Sequence, residues 1–284
     1  MRNRLSLFTV PYVVWMALLV VAPVIMVVIY AFTSNAGSFT LDNFSDMGAY
    51  VSIFSRSFQL AIVATLVCLL IGYPVAYAMA KEGPGFQRIA MVLIMLPMWV
   101  NFLLRTYSWM AILENNGLLN QFFSAIGLFD LVNGLFGTDI QYFRMIRTQG
   151  AVVLGMVYNY LPFAITPLHS IMVKIDKSVI EAAQDLGANG FRVFTRVLLP
   201  LSIPGIITAI TMVFVPSVST FIISRMLGGG QNILIGDLIE QQFLGSVYNP
   251  YVGSAMSLIL MVIILLIMSV INHFDDDEME GMIV

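Results

Sequence analysis

Apolar residues are gathered into long runs, and shorter polar stretches separate these runs. A helix that crosses a bilayer needs about 20 predominantly apolar residues. The runs are predicted as helices because backbone groups in lipid must be hydrogen-bonded within their own segment. Six transmembrane helices are expected at about residues 8–32, 58–80, 89–113, 148–172, 198–222 and 251–273. We therefore predict an all-α, polytopic membrane protein in which residues 1–284 form a single transmembrane domain.

Composition agrees with this pattern. Hydrophobic residues make up 59% of the chain and charged residues 10%, whereas soluble domains carry about 25% charged residues. An ordinary soluble globule is thereby excluded. The first apolar run follows Arg2 and Arg4 but is longer than a signal-peptide core and is not followed by a clear small-residue cleavage site. We expect it to be a retained helix.

The placement of lysine and arginine predicts the orientation, because cytoplasmic loops carry an excess of both. With the N-terminus inside, eight of these residues fall on the cytoplasmic side and five on the outer side. The eight are Arg2, Arg4, Lys81, Arg88, Lys174, Lys177, Arg192 and Arg196. Both termini are thus expected on the cytoplasmic side of a bacterial inner membrane. The acidic tail at 275–278 does not oppose this orientation, since acidic residues contribute little to it.

A polar stretch between two apolar runs predicts a short amphipathic helix at about 178–188. Ser178 and Glu181 are spaced as a capping box. Apolar residues recur on one face at Val179, Ala182, Ala183 and Leu186. Gly187 would end the helix or let a partner backbone approach closely. Such a helix suits a groove on another protein, although periodicity alone fits a helix lying on the membrane surface equally well.

The same stretch resembles the EAA signature of permease subunits of ABC importers. Glu181, Ala182 and Ala183 are followed at the family spacing by Gly187 and then by Leu199-Pro200, while Val197 replaces the usual isoleucine. The resemblance implies a type I ABC importer (MetI-like) permease fold in which this segment is a cytoplasmic coupling helix that docks on a separate ATPase. The coupling residues that it implies are Glu181, Ala182, Ala183, Asp185, Gly187, Leu199 and Pro200.

Further stretches resemble permeases of the spermidine/putrescine type. They are Val157–Phe163 with Pro167-Leu168, Asp176-Lys177, Pro200-Leu201 with Pro204–Ile207, Asn232–Gly236 and Gln242–Leu244. The resemblance implies a polyamine substrate, a second and different permease subunit, an ATPase dimer and an extracytoplasmic substrate-binding protein. The predicted outer loops hold seven acidic residues against four arginines, and an acidic vestibule would favour a polycation. Ordinary solvated loops explain the same count.

Catalytic chemistry is not indicated. The chain has no Gly-x-x-x-x-Gly-Lys-Ser/Thr sequence for binding nucleotide phosphates. Cys68 is the sole cysteine, and His169 and His273 lie far apart without acidic or cysteine companions. We expect a transport subunit that is not an enzyme and binds no cofactor or metal itself, with ATP and Mg²⁺ used by the partner ATPase.

Polar and aromatic side chains within the apolar runs are candidates for the substrate path. Polar groups in membrane helices usually face a cavity or another helix, and aromatic faces attract ammonium groups by about 0.5–2 kcal/mol each. The candidates are Trp99, Asn101, Tyr107, Tyr158, Asn159 and Ser217. The path and the interface with the sister subunit remain open as alternatives for the polar ones. Arg105 opposes a simple cation path and would need to pair with Glu114 or extend towards the interface.

Two alternatives remain for the function. The first is an ABC importer permease for another small solute, since the EAA segment is shared across the wider family. The second is an ion-coupled secondary transporter, which predicts inverted repeats. The two halves of the chain show no convincing repeat.

Overall fold

The computed structural model describes residues 11–45, 47–245 and 247–281, with the backbone alone from 272 onwards. The described residues form helices and one isolated β-bridge, between Thr33 and Phe39. We number the helices α1 Pro11–Ala31, α2 Met47–Lys81, α3 Pro84–Trp99, α4 Phe102–Leu113, α5 Leu118–Ala125, α6 Leu128–Phe136, α7 Gln149–Met172, α8 Lys177–Asp185, α9 Gly190–Leu201, α10 Ile203–Ser219, α11 Ile222–Gly228, α12 Ile235–Leu244 and α13 Pro250–Gly281.

The chain divides into two compact units. The first comprises Met1–Ser52 and Leu238–Ile267. Within it, the rings of Tyr30 and Tyr251 meet edge-on at 5.5 Å. The Asn43 amide donates to the carbonyl oxygen of Ala31 at 2.9 Å, which fixes the chain just after α1.

The second unit comprises Ile53–Asp237 and Met268–Val284 and is organised around α7. This helix packs against α10, α11, α4 and α3. A Cβ added at Gly155 of α7 would stand 2.5 Å from Leu227 of α11 and 2.9 Å from Ile223. The glycine thus permits a close helix crossing, as small residues commonly do between membrane helices.

Among the described residues, four helices are long and apolar enough to cross a membrane, namely α1, α2, α7 and the first part of α13, Pro250–Ile271. Two bent pairs pass the same test together: α3 with α4 and α5, bent by 87°, and α9 with α10, bent by 67°. The described residues therefore provide up to six spans if each bent pair is one span, which agrees with the six predicted.

The continuous helix predicted at 89–113 is wrong, because the chain breaks between Trp99 and Phe102. Pro97 lies in a short 3-10 turn, and Asn101 is extended (φ −52°, ψ 134°). The Asn101 side chain accepts a hydrogen bond from the N–H of Leu103 at 2.8 Å and so caps the start of α4. The helix predicted at 198–222 is likewise bent, at Ser202 between two prolines, and it ends at Ser219.

Candidate functional site

Helix α8 is capped by Asp176. The Asp176 side chain accepts a hydrogen bond from the N–H of Ser178 at 3.0 Å, and this bond holds the pKa of the Asp176 carboxyl below its ordinary value. The predicted capping box is therefore wrong. Ser178 lies inside the helix and is not its N-cap, and Glu181 lines a cavity instead of bonding to the backbone of Ser178. An ionised carboxylate is a stronger hydrogen-bond acceptor than a hydroxyl. This difference explains why the helix begins after Asp176 and not after Ser178.

The end of α8 depends on Gly187, which has a left-handed backbone with φ of +83°. Its N–H donates to the carbonyl of Gln184 at 2.8 Å, and the N–H of Ala188 donates to that of Ala183 at 3.0 Å. This pair of bonds is a Schellman cap. Nothing lies within 4 Å of a Cβ built at Gly187, so the glycine is required by the backbone and not by crowding. The helix predicted at 178–188 thus spans Lys177–Asp185, and its cap extends to 188.

The apolar face of α8 is uncovered. Leu186 is 89% exposed and Val179 45%, while Ala182 is exposed and Ala183 half-buried. Just beyond the helix, Phe191 is 74% exposed. Covering apolar surface yields about 25 cal/mol per Å². The outward face of α8 can therefore contribute to the binding of a partner.

Helix α9 connects α8 to the spanning helices. Its Asn189 cap accepts a hydrogen bond from the N–H of Arg192 at 2.9 Å. At its other end, the fully buried Ser202 exchanges a 2.9 Å hydrogen bond with the hydroxyl of Tyr73 on α2. The Tyr73 ring also meets Phe194 edge-on at 5.5 Å. The segment that carries Leu199-Pro200 is thus tied to α2.

The six predicted path residues lie in different local environments. Trp99 and Tyr107 are 77% and 53% exposed, and Asn101 is the exposed cap of α4. Tyr158 meets Trp109 edge-on at 5.3 Å. The remaining two are buried and bond to the backbone of their own helices: Asn159 donates to Gly155 at 2.8 Å and Ser217 donates to Val213 at 2.7 Å. Their role in a path stays a prediction.

Arg105 is half-buried on α4 and does not form an ion pair with Glu114, one of its two expected arrangements, in the described chain. Its Nε and Nη1 atoms are buried without a hydrogen-bond partner among the described residues. The side chain lies 5.7 Å from the centre of the Phe102 ring. This cation is therefore poorly compensated within the chain itself.

Two features of the second unit escaped the sequence reasoning. One is the bond between Tyr73 and Ser202, whose partners are 129 positions apart. The other is an ion pair between the Nη2 atom of Arg225 and the Oδ1 atom of Asp237 at 2.6 Å, with Asp237 almost fully buried. The acidic residue in the first turn of α12, directly after Gly236, was the available signal for it.

Comparisons with known proteins agree with this architecture. The family model for the inner membrane component of binding-protein-dependent transport systems matches residues 69–277. The spermidine/putrescine transport system permease protein PotB of Haemophilus influenzae is 36% identical over 278 residues, which is 95% of this chain and 93% of the relative. PotB of Escherichia coli K12 is 35% identical over 257 residues, covering 88% and 90% of the two chains.

Solved structures show the same fold. A chain from a bacterial ABC transporter that imports the acidic polysaccharide alginate superposes with a TM-score of 0.73 at 16% identity, covering 96% of this chain and 95% of the other. A second structure, of the bacterial alginate transporter in complex with its periplasmic protein bound to an alginate pentasaccharide, gives a TM-score of 0.70 at 17% identity, with 95% and 92% covered. The bent spans, the capped helix α8 and the family match lead to one conclusion: this chain is an ABC importer permease and belongs to the family of inner membrane components of binding-protein-dependent transport systems.

Proposed function

We propose that this chain forms half of the translocation path of a polyamine importer. Two relatives that are 35% and 36% identical over most of both chains are named as spermidine/putrescine permeases, and this similarity supports the substrate class. The second half of the path would come from a different permease subunit, and an extracytoplasmic binding protein would deliver the substrate. Trp99, Tyr107 and Tyr158 are the proposed aromatic contacts of the ammonium groups.

Coupling to ATP hydrolysis is assigned to α8, and the observation that carries this proposal is the exposed apolar face of a helix capped at both ends. Leu186 and Val179 present that face, while the caps at Asp176 and Gly187 hold the helix in shape without a partner. A preformed amphipathic helix binds a groove without an ordering cost. We place this face, and both chain termini, on the cytoplasmic side, where an ATPase dimer would bind.

Transport of the proposed substrate is tested by reconstituting the complete importer in vesicles. Uptake of labelled spermidine, putrescine and an unrelated solute is measured with and without ATP. We expect ATP-dependent uptake of at least one polyamine and none of the unrelated solute. ATP-dependent uptake of the unrelated solute alone would refute the substrate assignment and leave the permease assignment intact.

Docking on the ATPase is tested separately with Leu186→Asp. The carboxylate would have to lose its water in the groove, so we expect binding of the purified ATPase to the membrane-embedded permease pair to fall at least tenfold, about 1.4 kcal/mol. Leu135→Asp on α6 is the matched control, because Leu135 is 71% exposed and lies outside the α8–α9 segment. Equal binding by the two variants would refute the role of α8.

One observation favours a second candidate, an importer of another small solute. The buried Nε and Nη1 atoms of Arg105 have no partner in the described chain, and a fixed cation on the path would repel a polyamine. If Arg105→Gln raised polyamine uptake, the arginine would be a barrier on a cation path. If the variant abolished uptake of an anionic solute carried by the native importer, the second candidate would replace the first.

A further inference from the structure

A cavity of about 410 Å³ lies beside α8, within the second unit. Its lining comes from the end of α2, the end of α7, the connection between α7 and α8, helix α8 and one residue of α9. From α8 it takes Ile180, Glu181 and Gln184. At 100° per residue, these three lie on the side opposite to Val179 and Leu186. The cavity therefore separates the proposed docking helix from the spanning helices behind it.

Charged groups give the cavity a net positive character. Lys81 and Lys177 line it together with Glu181, which leaves one positive charge in excess. The Nζ atom of Lys81 lies 4.2 Å above the centre of the Tyr77 ring, which fixes its position. In the part of the chain that the structure describes, neither lysine forms an ion pair. Both ammonium groups are available to an anion.

The rest of the lining is largely apolar, and it includes Met172, Ile175 and Leu198. The helices α2 and α7 are long and apolar enough to span a membrane, and they end at Lys81 and Met172. The cavity thus lies at the ends of two candidate spanning helices, where we expect lipid headgroups. A small soluble anion would leave the apolar wall uncovered, whereas an amphiphile would satisfy both parts of the lining.

We propose that this cavity binds the headgroup of an anionic glycerophospholipid, with its phosphodiester between Lys81 and Lys177 and its glycerol region against Met172 and Leu198. A phosphodiester carries one negative charge, which balances the excess charge of the lining. The hydroxyl groups of phosphatidylglycerol can donate hydrogen bonds to Glu181. A lipid held there contacts α2, α7 and α8 together and would stabilise α8 against the spanning helices. That effect on coupling rests on the proposed function, whereas the binding of the lipid does not.

Binding is tested on the complete importer in nanodiscs of phosphatidylcholine that contain a trace of photoactivatable phosphatidylglycerol. The labelled peptides are mapped for the native protein, for Lys81→Gln/Lys177→Gln and for Lys174→Gln/Arg192→Gln. The second pair removes the same charge from exposed residues that do not line the cavity. Both pairs lose the general attraction of basic residues to an anionic lipid, but the cavity pair also loses two charge-assisted contacts with the phosphodiester. We therefore expect the cavity pair to lose about tenfold more labelling around 172–184 than the control pair.

A variant that is expected to bind the lipid more tightly distinguishes lost binding from misfolding, because a misfolded protein would not gain labelling. Glu181→Gln raises the excess charge from one to two, so labelling around 172–184 is expected to increase severalfold. Equal losses in the two double variants, or no gain for Glu181→Gln, would overturn the proposal. Competition by millimolar glycerol phosphate would assign the cavity to a soluble anion, and equal labelling by photoactivatable phosphatidylethanolamine would refute the requirement for net negative charge. Failure of the ATPase-binding test with Leu186→Asp would leave these results unaffected.

Discussion

Gly187→Ala should weaken the proposed coupling of this permease to an ATPase although the new methyl group touches nothing. Gly187 has φ of +83°, and nothing lies within 4 Å of the added Cβ. An L-residue with a side chain in the left-handed region costs about 1–2 kcal/mol. That cost corresponds to about a 5- to 30-fold loss of the conformer in which α8 is closed by its Schellman cap.

The assay is binding of the purified ATPase to the permease pair in nanodiscs, followed by ATP-driven uptake in vesicles. We expect Gly187→Ala to lower the affinity by about 5- to 30-fold. Gly187→Asn should lose less, because asparagine tolerates the left-handed region better than other residues with side chains. The expected order of affinity is therefore native, Asn, Ala.

Gly190→Ala is the matched control for this series. A Cβ at Gly190 also meets nothing within 4 Å, but its φ lies outside the left-handed region. Alanine is in addition the better helix former at this first position of α9. The reasoning is refuted if Gly190→Ala is as harmful as Gly187→Ala, or if Gly187→Asn is no better than Gly187→Ala.

Three further predictions concern other contacts. Asp176→Ala should weaken ATPase binding more than Asp176→Asn, which keeps the capping oxygen. Because the pKa of this carboxyl is lowered, its charged form stabilises the fold above its unfolded pKa, and this stability is lost as the pH falls through the folded pKa. The protection of the α8 amides, measured as exchange relative to the intrinsic rate at each pH, should therefore fall over that range. Gly155→Ala should lower the free energy of unfolding by about 1–3 kcal/mol, because the added methyl group overpacks the helix crossing. Gly150→Ala is the control: the nearest atom to a Cβ there lies at 3.7 Å, so thermal unfolding should be nearly unchanged. Tyr73→Phe should cost about 1 kcal/mol through the lost bond to Ser202, and unchanged thermal unfolding would contradict this.

The parts of the fold that sequence predicted depend on composition and on short-range spacing. Apolar length alone located the spans because lipid imposes the same requirement on every spanning segment. The EAA spacing located α8 to within a few residues, and Gly187 was correctly associated with its end. These signals need no knowledge of what the chain packs against.

The errors came from competition between neighbouring groups. Ser178 was predicted as the cap of α8, but the carboxylate of Asp176 lies two residues earlier and takes that position. The predicted third span treats Asn101 as an interior helical residue, but the Asn101 side chain caps the start of a new helix. Periodicity could not distinguish a polar residue inside a helix from one that begins a helix.

Contacts between distant segments were beyond sequence reasoning. The cavity beside α8 joins residues as far apart as Tyr77 and Leu198. A single sequence does not show which distant residues lie side by side. Lys81 and Lys177 therefore enter the sequence analysis as indicators of membrane orientation, and Lys177 also as part of the family resemblance, but not as a pair. The structure shows that both lysines line the same cavity.

The docking of α8 on the ATPase is tested most directly by site-specific cross-linking in the assembled importer. A photoreactive amino acid is placed at Leu186 on the exposed face of α8 and, in a separate protein, at Leu135 on α6. We predict a covalent adduct with the ATPase from position 186 and none from position 135. No adduct from 186, or equal adducts from both positions, would contradict the assignment of α8 as the coupling helix.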